Sequence, residues 1–327
     1  MDQKPLIFAL EASHDLGARI AGLLGMALSQ HEEREFEDGE HKARPLTSVR
    51  GRNVFVIQSL YGDPRQTVND KLCRLLFFVG ALRDASAANV TIVAPYLCYS
   101  RKDRRTKPRD PVTTRYVAKL MEAVGAGRVM TMDVHNQAAF QNAFNVPTEH
   151  LSAVNLFCSH LTSAARTSPL AVVSPDAGGV KRTSPLLQAL ERAAGRPIAA
   201  AFLEKHRSSG VITGDLFAGD VEGKTAIILD DLISSGATLI RAARACRERG
   251  ASRVIAAATH GVFSSEAEQL LSDDCLERVV VTNSVPPFRL SSEFERRKLT
   301  VLDVAPLLAE SIRRVHEGGS LTELMEL

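Results

Sequence analysis

Residues 226–239 read AIILDDLISSGATL. An apolar run ends in two adjacent carboxylates, Asp230 and Asp231, followed by a turn of Ser234, Ser235, Gly236, Ala237 and Thr238 and then a helix. Small side chains let an anion approach the backbone, and free N–H groups at a helix N-terminus with hydroxyls beside them suit a phosphate. Carboxylates at a strand end accept hydrogen bonds from vicinal sugar hydroxyls. Together these residues point to a sugar with a terminal phosphate. The same residue types also build an ordinary strand, Asx turn and N-capped helix without a ligand.

Other residues could serve phosphate or nucleotide chemistry. FEDGE at 36–40 offers an aromatic face and carboxylates; SRKDR at 100–104 offers cations; DVH at 133–135 places a histidine after a strand. DAGG at 176–179 puts an acid ahead of a glycine turn, with Lys181 and Arg182 close behind. EKHR at 204–207 opens a polar stretch with glycines at 210, 214, 219 and 223. By composition alone these segments read as a surface turn, a satisfied structural histidine, a strand–turn–helix connection and a solvated hairpin.

The elements that must position them follow from periodicity. Strands are expected at 5–10, 53–58, 89–96, 128–134, 170–176, 224–231, 253–260 and 278–284, apolar almost throughout. Such runs suit strands covered on both faces. Helices are expected at 15–30, 69–87, 111–125, 236–249 and 303–316. This alternation predicts an α/β fold of mainly parallel sheets flanked by helices. The series runs twice, with a join near 146–168, so two similar domains are expected at 1–150 and 151–327.

The chain has 327 residues, 40 Lys and Arg against 38 Asp and Glu, 45% apolar and 24% charged residues. A net charge of +2 does not build a field that holds nucleic acid or an anionic membrane. Aromatics at 5% without tryptophan argue against stacking platforms for single strands. No apolar run approaches the length of a membrane helix, and no signal-peptide pattern opens the chain. The five cysteines are scattered without a CxxC pair, which fits a reducing cytoplasm.

The 226–239 loop resembles the phosphoribosyl-diphosphate motif of the type I phosphoribosyltransferase fold, with Ser234 and Ser235 where that motif usually has Asp or Ala and then Thr. FEDGE, ND at 69–70, PYLCYSRKDR at 95–104, DVH, VSPDAGGVKR at 173–182 and EKHR fall in a characteristic order. THGVFS at 259–264, VTNSVP at 281–286 and VAPLLAESIRRVHEG at 304–318 continue it. From about residue 5 to residue 320 the chain is similar to the ribose-phosphate pyrophosphokinase (phosphoribosyl diphosphate synthetase) family.

The resemblance implies transfer of the diphosphoryl group of Mg-ATP to the 1-hydroxyl of ribose 5-phosphate, giving phosphoribosyl diphosphate and AMP. It implies that Phe36, Asp38 and Glu40 meet the adenine of a neighbouring subunit's nucleotide. Arg101, Lys102 and Asp103 would face the ATP phosphates and ribose, His135 and Asp176 would hold Mg2+, and Lys205 and Arg207 would be the catalytic cations of a flexible loop. Asp230 and Asp231 with Ser234, Ser235, Gly236, Ala237 and Thr238 would take ribose 5-phosphate. A dimer-based homo-oligomer, up to a hexamer, is implied. Lys102 stands where the family usually has Gln, and the run 136–144 departs from the family pattern. The alternatives are a phosphoribosyltransferase, which would not need the N-terminal segments, and a catalytically silent associated regulatory subunit.

Overall fold

The computed structural model describes residues 4–208 and 211–326. The chain forms two compact units, one running up to Ser152 and including Ala305–Glu326, the other Ala153–Val304.

The first unit is built on strands β1 (Leu6–Ala9), β4 (Asn53–Ile57), β5 (Asn89–Ala94), β6 (Arg128–Met132) and β7 (Thr148–Leu151), a parallel sheet in that spatial order. The ribbon β2 (His31–Glu35) and β3 (His41–Pro45) is antiparallel and separate from it. Helices α1 (His14–Leu23), α2 (Val68–Asp84), α3 (Thr113–Ala123) and α4 (Gln137–Ala143) connect these strands. Strands β4, β5 and β6 are buried along almost their whole length, as mainly apolar runs covered on both faces require. Helix α2 shows how local chemistry fixes an element. Thr67 accepts from the Asp70 N–H and Asp70 accepts from the Thr67 N–H, a reciprocal cap whose loss costs about 1 kcal/mol. Leu72, Leu75, Leu76, Val79 and Leu82 recur three and four positions apart and are buried in the core.

The second unit holds α5 (Val154–Thr167), β8 (Leu170–Ser174), α6 (Val180–Ala194), β9 (Ala199–Ser208), β10 (Val211–Gly219), β11 (Thr225–Ile233) and α7 (Ala237–Glu248). It continues through β12 (Arg253–Gly261), α8 (Ala267–Leu271), β13 (Arg278–Thr282), α9 (Ser292–Lys298) and β14 (Leu299–Leu302). The spatial order is β10-β9-β8-β11-β12-β13-β14, parallel except for the antiparallel β9–β10 pair. The chain runs outward from β8 on one side and from β11 on the other. Ligands of open α/β sheets bind at the carboxyl ends of strands where the order reverses in this way.

Three differences from the sequence expectations have physical causes. The 15–30 helix stops at Leu23, because Gly25 takes the left-handed conformation (φ +65°) that closes a helix, and the chain then feeds the polar strands β2 and β3. Strand β11 does not end at the acid pair but continues to Ile233, since β12 keeps pairing with it as far as Ile233↔Gly261. The C-terminal helices α10 (Ala305–Glu317) and α11 (Leu321–Met325), expected in the second domain, belong to the first unit, where α10 packs against α1.

Candidate active site

In the second unit the acid pair owes its position to unequal strand lengths. β8 pairs with β11 only from Thr225↔Leu170 to Ile228↔Val173. Asp230 and Asp231 therefore lie beyond the last residue of β11 paired with β8, beside β12. Asp231 is buried and Asp230 half-buried. Arg182, near the start of α6, reaches both: its Nη1 contacts Asp230 Oδ1 and lies 3.1 Å from Asp231 Oδ1. The Asp231 N–H also donates to Asp230 Oδ1 at 2.8 Å. Burial pushes the Asp230 carboxyl up to about 7; the neighbouring Asp231 reinforces this and the Arg182 guanidinium opposes it.

The turn after β11 is held from outside. The Phe263 and Ser264 N–H groups donate to the carbonyls of Ile233 and Ser234, both at 2.9 Å. Gly236 is left-handed, φ +84°, and α7 starts at the next residue, so Ser234, Ser235, Ala237 and Thr238 crowd one helix N-terminus. Ser235 Oγ accepts from the Ala237 N–H at 3.4 Å. Unsatisfied N–H groups of the first turn give this end partial positive charge suited to phosphate.

Asp176 follows β8 at the same carboxyl edge, exposed, and caps a short turn by accepting from the Gly179 N–H at 2.7 Å. Ser174 Oγ donates to the Asp176 carbonyl at 2.6 Å. A Cβ on Gly179 would come within 2.6 Å of Ser174 Oγ, so this turn accepts only glycine without rearrangement. Lys205 and Arg207 occupy β9, where their positions pair with Asp215 and Ile212 of β10; their side chains lie outside the described residues. The flexible loop expected there is, along its described backbone, an antiparallel ladder.

In the first unit, residues 36–40 form the tip joining β2 and β3. The Phe36 N–H donates to the Glu40 carbonyl at 2.8 Å, Gly39 turns at φ +89°, and Asp38 Oδ1 accepts from the Glu40 N–H at 3.0 Å. Phe36 remains 40% exposed under the Arg34 guanidinium, 5.0 Å from its ring centre. The ribbon is fixed to the body by Arg74 of α2 on Glu35 at 2.6 Å, and by Glu33, which accepts from His31 at 3.0 Å and from the Glu11 N–H at 2.7 Å.

Arg101, Lys102 and Asp103 lie on the loop between β5 and α3, Arg101 and Lys102 exposed. Tyr99, left-handed at φ +59°, begins this loop, and its carbonyl accepts from the Thr114 hydroxyl at 2.8 Å. Lys102 lies 3.4 Å from Asp110. Asp103 accepts from the Asn136 side chain at 2.7 Å, and Asn136 caps α4. The loop is thereby joined to the turn carrying His135, which is exposed. The preceding Val134 N–H donates to His150 Nε2 at 3.2 Å, while burial pushes the His150 imidazole below its usual range.

Thus Arg101–Asp103 and His135 are brought together in the first unit, and Asp176, the acid pair and residues 234–238 share one sheet edge in the second. Two contributors lacked an assigned role in the sequence reading. Asn136 lies in the departing run 136–144, and only the fold shows it meeting Asp103. Arg182 was visible as a cation behind DAGG, yet nothing local pairs it with residues 48 positions away. Among the described residues no group of three or more His, Cys, Asp or Glu could hold a metal. Asp176, in the second unit, is an exposed carboxylate, and His135, in the first, an exposed imidazole. Magnesium usually takes one or two carboxylates and completes its shell with water and phosphate, and the Asp176 carboxylate is a donor of that kind.

A family model described as the N-terminal domain of ribose phosphate pyrophosphokinase matches residues 5–125, and one described as the phosphoribosyl synthetase-associated domain matches residues 211–326. Ribose-phosphate pyrophosphokinase 1 of Listeria innocua is 39% identical over 99% of this chain and 98% of its own. Ribose-phosphate pyrophosphokinase of Aquifex aeolicus is 38% identical over 97% and 98%. The crystal structure of phosphoribosylpyrophosphate synthetase from Mycobacterium smegmatis superposes with a TM-score of 0.87 at 36% identity, covering 97% of this chain and all of that one.

Proposed function

The chain belongs to the ribose-phosphate pyrophosphokinase family, and from that premise we propose how its residues move the diphosphoryl group of ATP onto the 1-hydroxyl of ribose 5-phosphate, releasing AMP. The observation that carries this reading is the edge of the second sheet, where two residues separate an acid pair from a Ser-Ser-Gly turn at a helix N-terminus. Asp230 and Asp231 accept from the 2- and 3-hydroxyls, and the N–H groups and hydroxyls of 234–238 take the 5-phosphate. Phe36 stacks on adenine, with Asp38 and Glu40 accepting from its exocyclic amine. Arg101 and Lys102 meet the nucleotide phosphates, and Asp103 is aimed by Asn136.

The ribose 1-hydroxyl attacks the β-phosphorus in line with the departing AMP oxygen. Negative charge spreads over nonbridging oxygens, so the protein's part is alignment and cation placement. Lys205 and Arg207 neutralise the β-phosphoryl oxygens and the leaving oxygen. His135 and Asp176 would hold Mg2+, which when bound neutralises triphosphate charge. The nucleotide pocket is completed across a homo-oligomer, with Phe36 serving a neighbouring subunit.

The deciding assay incubates the protein with magnesium, ATP and ribose 5-phosphate and follows AMP. Release that requires the sugar supports the reading; binding of both substrates without turnover identifies a silent associated subunit instead. Two finer expectations follow. Phe36→Ala should raise KM for ATP about tenfold, the order of one base–aromatic stack, leaving KM for ribose 5-phosphate unchanged; equal KM values for ATP in both proteins remove Phe36 from the adenine site. Ribose 5-phosphate should bind less well as pH falls through about 7, because proton uptake by Asp230 removes a charged acceptor. Between about pH 8 and about pH 6.5 the loss should reach about fourfold. Calorimetric titration above about pH 6.5, where the substrate phosphate is mostly dianionic, checks this. Asp230→Asn should abolish that slope.

A further inference from the structure

Arg182 reaches the acid pair from a different part of the second unit. It lies near the start of α6, past the turn that Asp176 caps, and one guanidinium nitrogen contacts both carboxylates. The guanidinium packs beside that turn: a Cβ on Gly179 would stand in ordinary contact with Arg182 Nη1, at 3.8 Å. The side chains are only partly accessible, 24% for Arg182, 16% for Asp230 and 6% for Asp231. Adjacent half-buried carboxylates repel one another and do not both stay ionised without a cation between them.

We propose that Arg182 is a positioning residue for the sugar, fixing Asp230 and Asp231 in the geometry that vicinal hydroxyls require and favouring their charged, accepting forms. It acts through the acid pair and does not touch the diphosphoryl group. This rests on the reading of the pair as the hydroxyl site. Burial already carries Asp230 up to about 7, against the pull of Arg182. Without the guanidinium the carboxyl moves higher and is protonated at neutral pH, costing the sugar an acceptor.

The test compares wild type, Arg182→Met and Arg182→Lys in steady-state kinetics across pH. Arg182→Met is expected to raise KM for ribose 5-phosphate about tenfold to a hundredfold, the scale of one or two charge-assisted hydrogen bonds, while KM for ATP stays within about twofold. The acid limb of kcat/KM for ribose 5-phosphate should move to higher pH. Arg182→Lys restores the charge without the planar fork, so its limb should return toward the wild-type position while KM recovers only in part. An unmoved limb, or equal rises in both KM values, overturns the proposal. Should Arg182→Met fail to fold, Arg182→Lys decides by itself: a raised KM for ribose 5-phosphate with KM for ATP unchanged is expected from loss of the planar fork, and wild-type KM values overturn the proposal. Asp230→Asn and Asp231→Asn separate the two ideas. If they raise KM for ribose 5-phosphate and Arg182→Met does not, the positioning role fails and the site stands; if neither raises it, the hydroxyl site itself fails.

Discussion

Lys205→Ala lowers turnover by roughly a hundredfold to a thousandfold at saturating ATP and ribose 5-phosphate, the cost of removing one preorganised charge-stabilising donor. The expectation rests on the developing charge of diphosphoryl transfer, which calls for cations over the nonbridging oxygens. It rests also on placement. Lys205 and Arg207 stand two apart along β9. Because the effect arises in the transition state, KM for either substrate should change far less than kcat. Arg207→Ala should behave in the same way, and the double variant should lose less than the product of the single losses if the residues act as a unit. Quenched-flow measurement of AMP formation, with circular dichroism to confirm folding, reads this directly. Near wild-type turnover for Lys205→Ala ends its catalytic assignment.

The second large effect is expected at Gly236. Its φ of +84° is a conformation that a β-branched residue adopts only under strain. A Cβ there would sit 2.8 Å from Leu271 Cδ2 and 3.0 Å from its Cγ, and Leu271 is fully buried. Backbone strain of about 1–3 kcal/mol and overpacking of about 1–3 kcal/mol add, so Gly236→Val should destabilise the protein by about 2–6 kcal/mol. The same distortion moves the N–H groups of the phosphate turn. KM for ribose 5-phosphate should therefore rise by at least about tenfold in whatever fraction folds, with KM for ATP little changed. Urea denaturation and substrate kinetics test the two parts. A valine variant with the stability and KM of wild type would falsify the claim that this turn needs glycine.

The strands that carry the second site were legible because each is a short apolar run covered on both faces. Residues 170–174, 225–233, 253–261 and 278–282 all lay within or next to the expected stretches. Strands β7 and β14 were not, being four residues each and mixed in polarity. HEERE and HKARP form a ribbon although neither looks like a buried strand, since the ribbon lies outside the main sheet and keeps much of its surface in solvent. The stretch after Glu204, which composition alone reads as a solvated hairpin, does pair along β9 and β10. Ladder hydrogen bonds form from backbone groups and leave no mark on side-chain hydropathy.

What the amino-acid order determined by itself is the local chemistry: an acid pair, then small residues, then a helix, in a series of segments characteristic of one family. Turn conformation, capping and strand burial depend on neighbours a few positions away, and spacing reports those directly. The fold alone decided which distant groups meet. Arg182 reaches Asp230 across 48 positions because β11 inserts beside β8 in the sheet, and Asn136 reaches Asp103 across 33 because β5 lies beside β6. Strand order is the outcome of packing a whole unit around one core, so no short window of sequence encodes it.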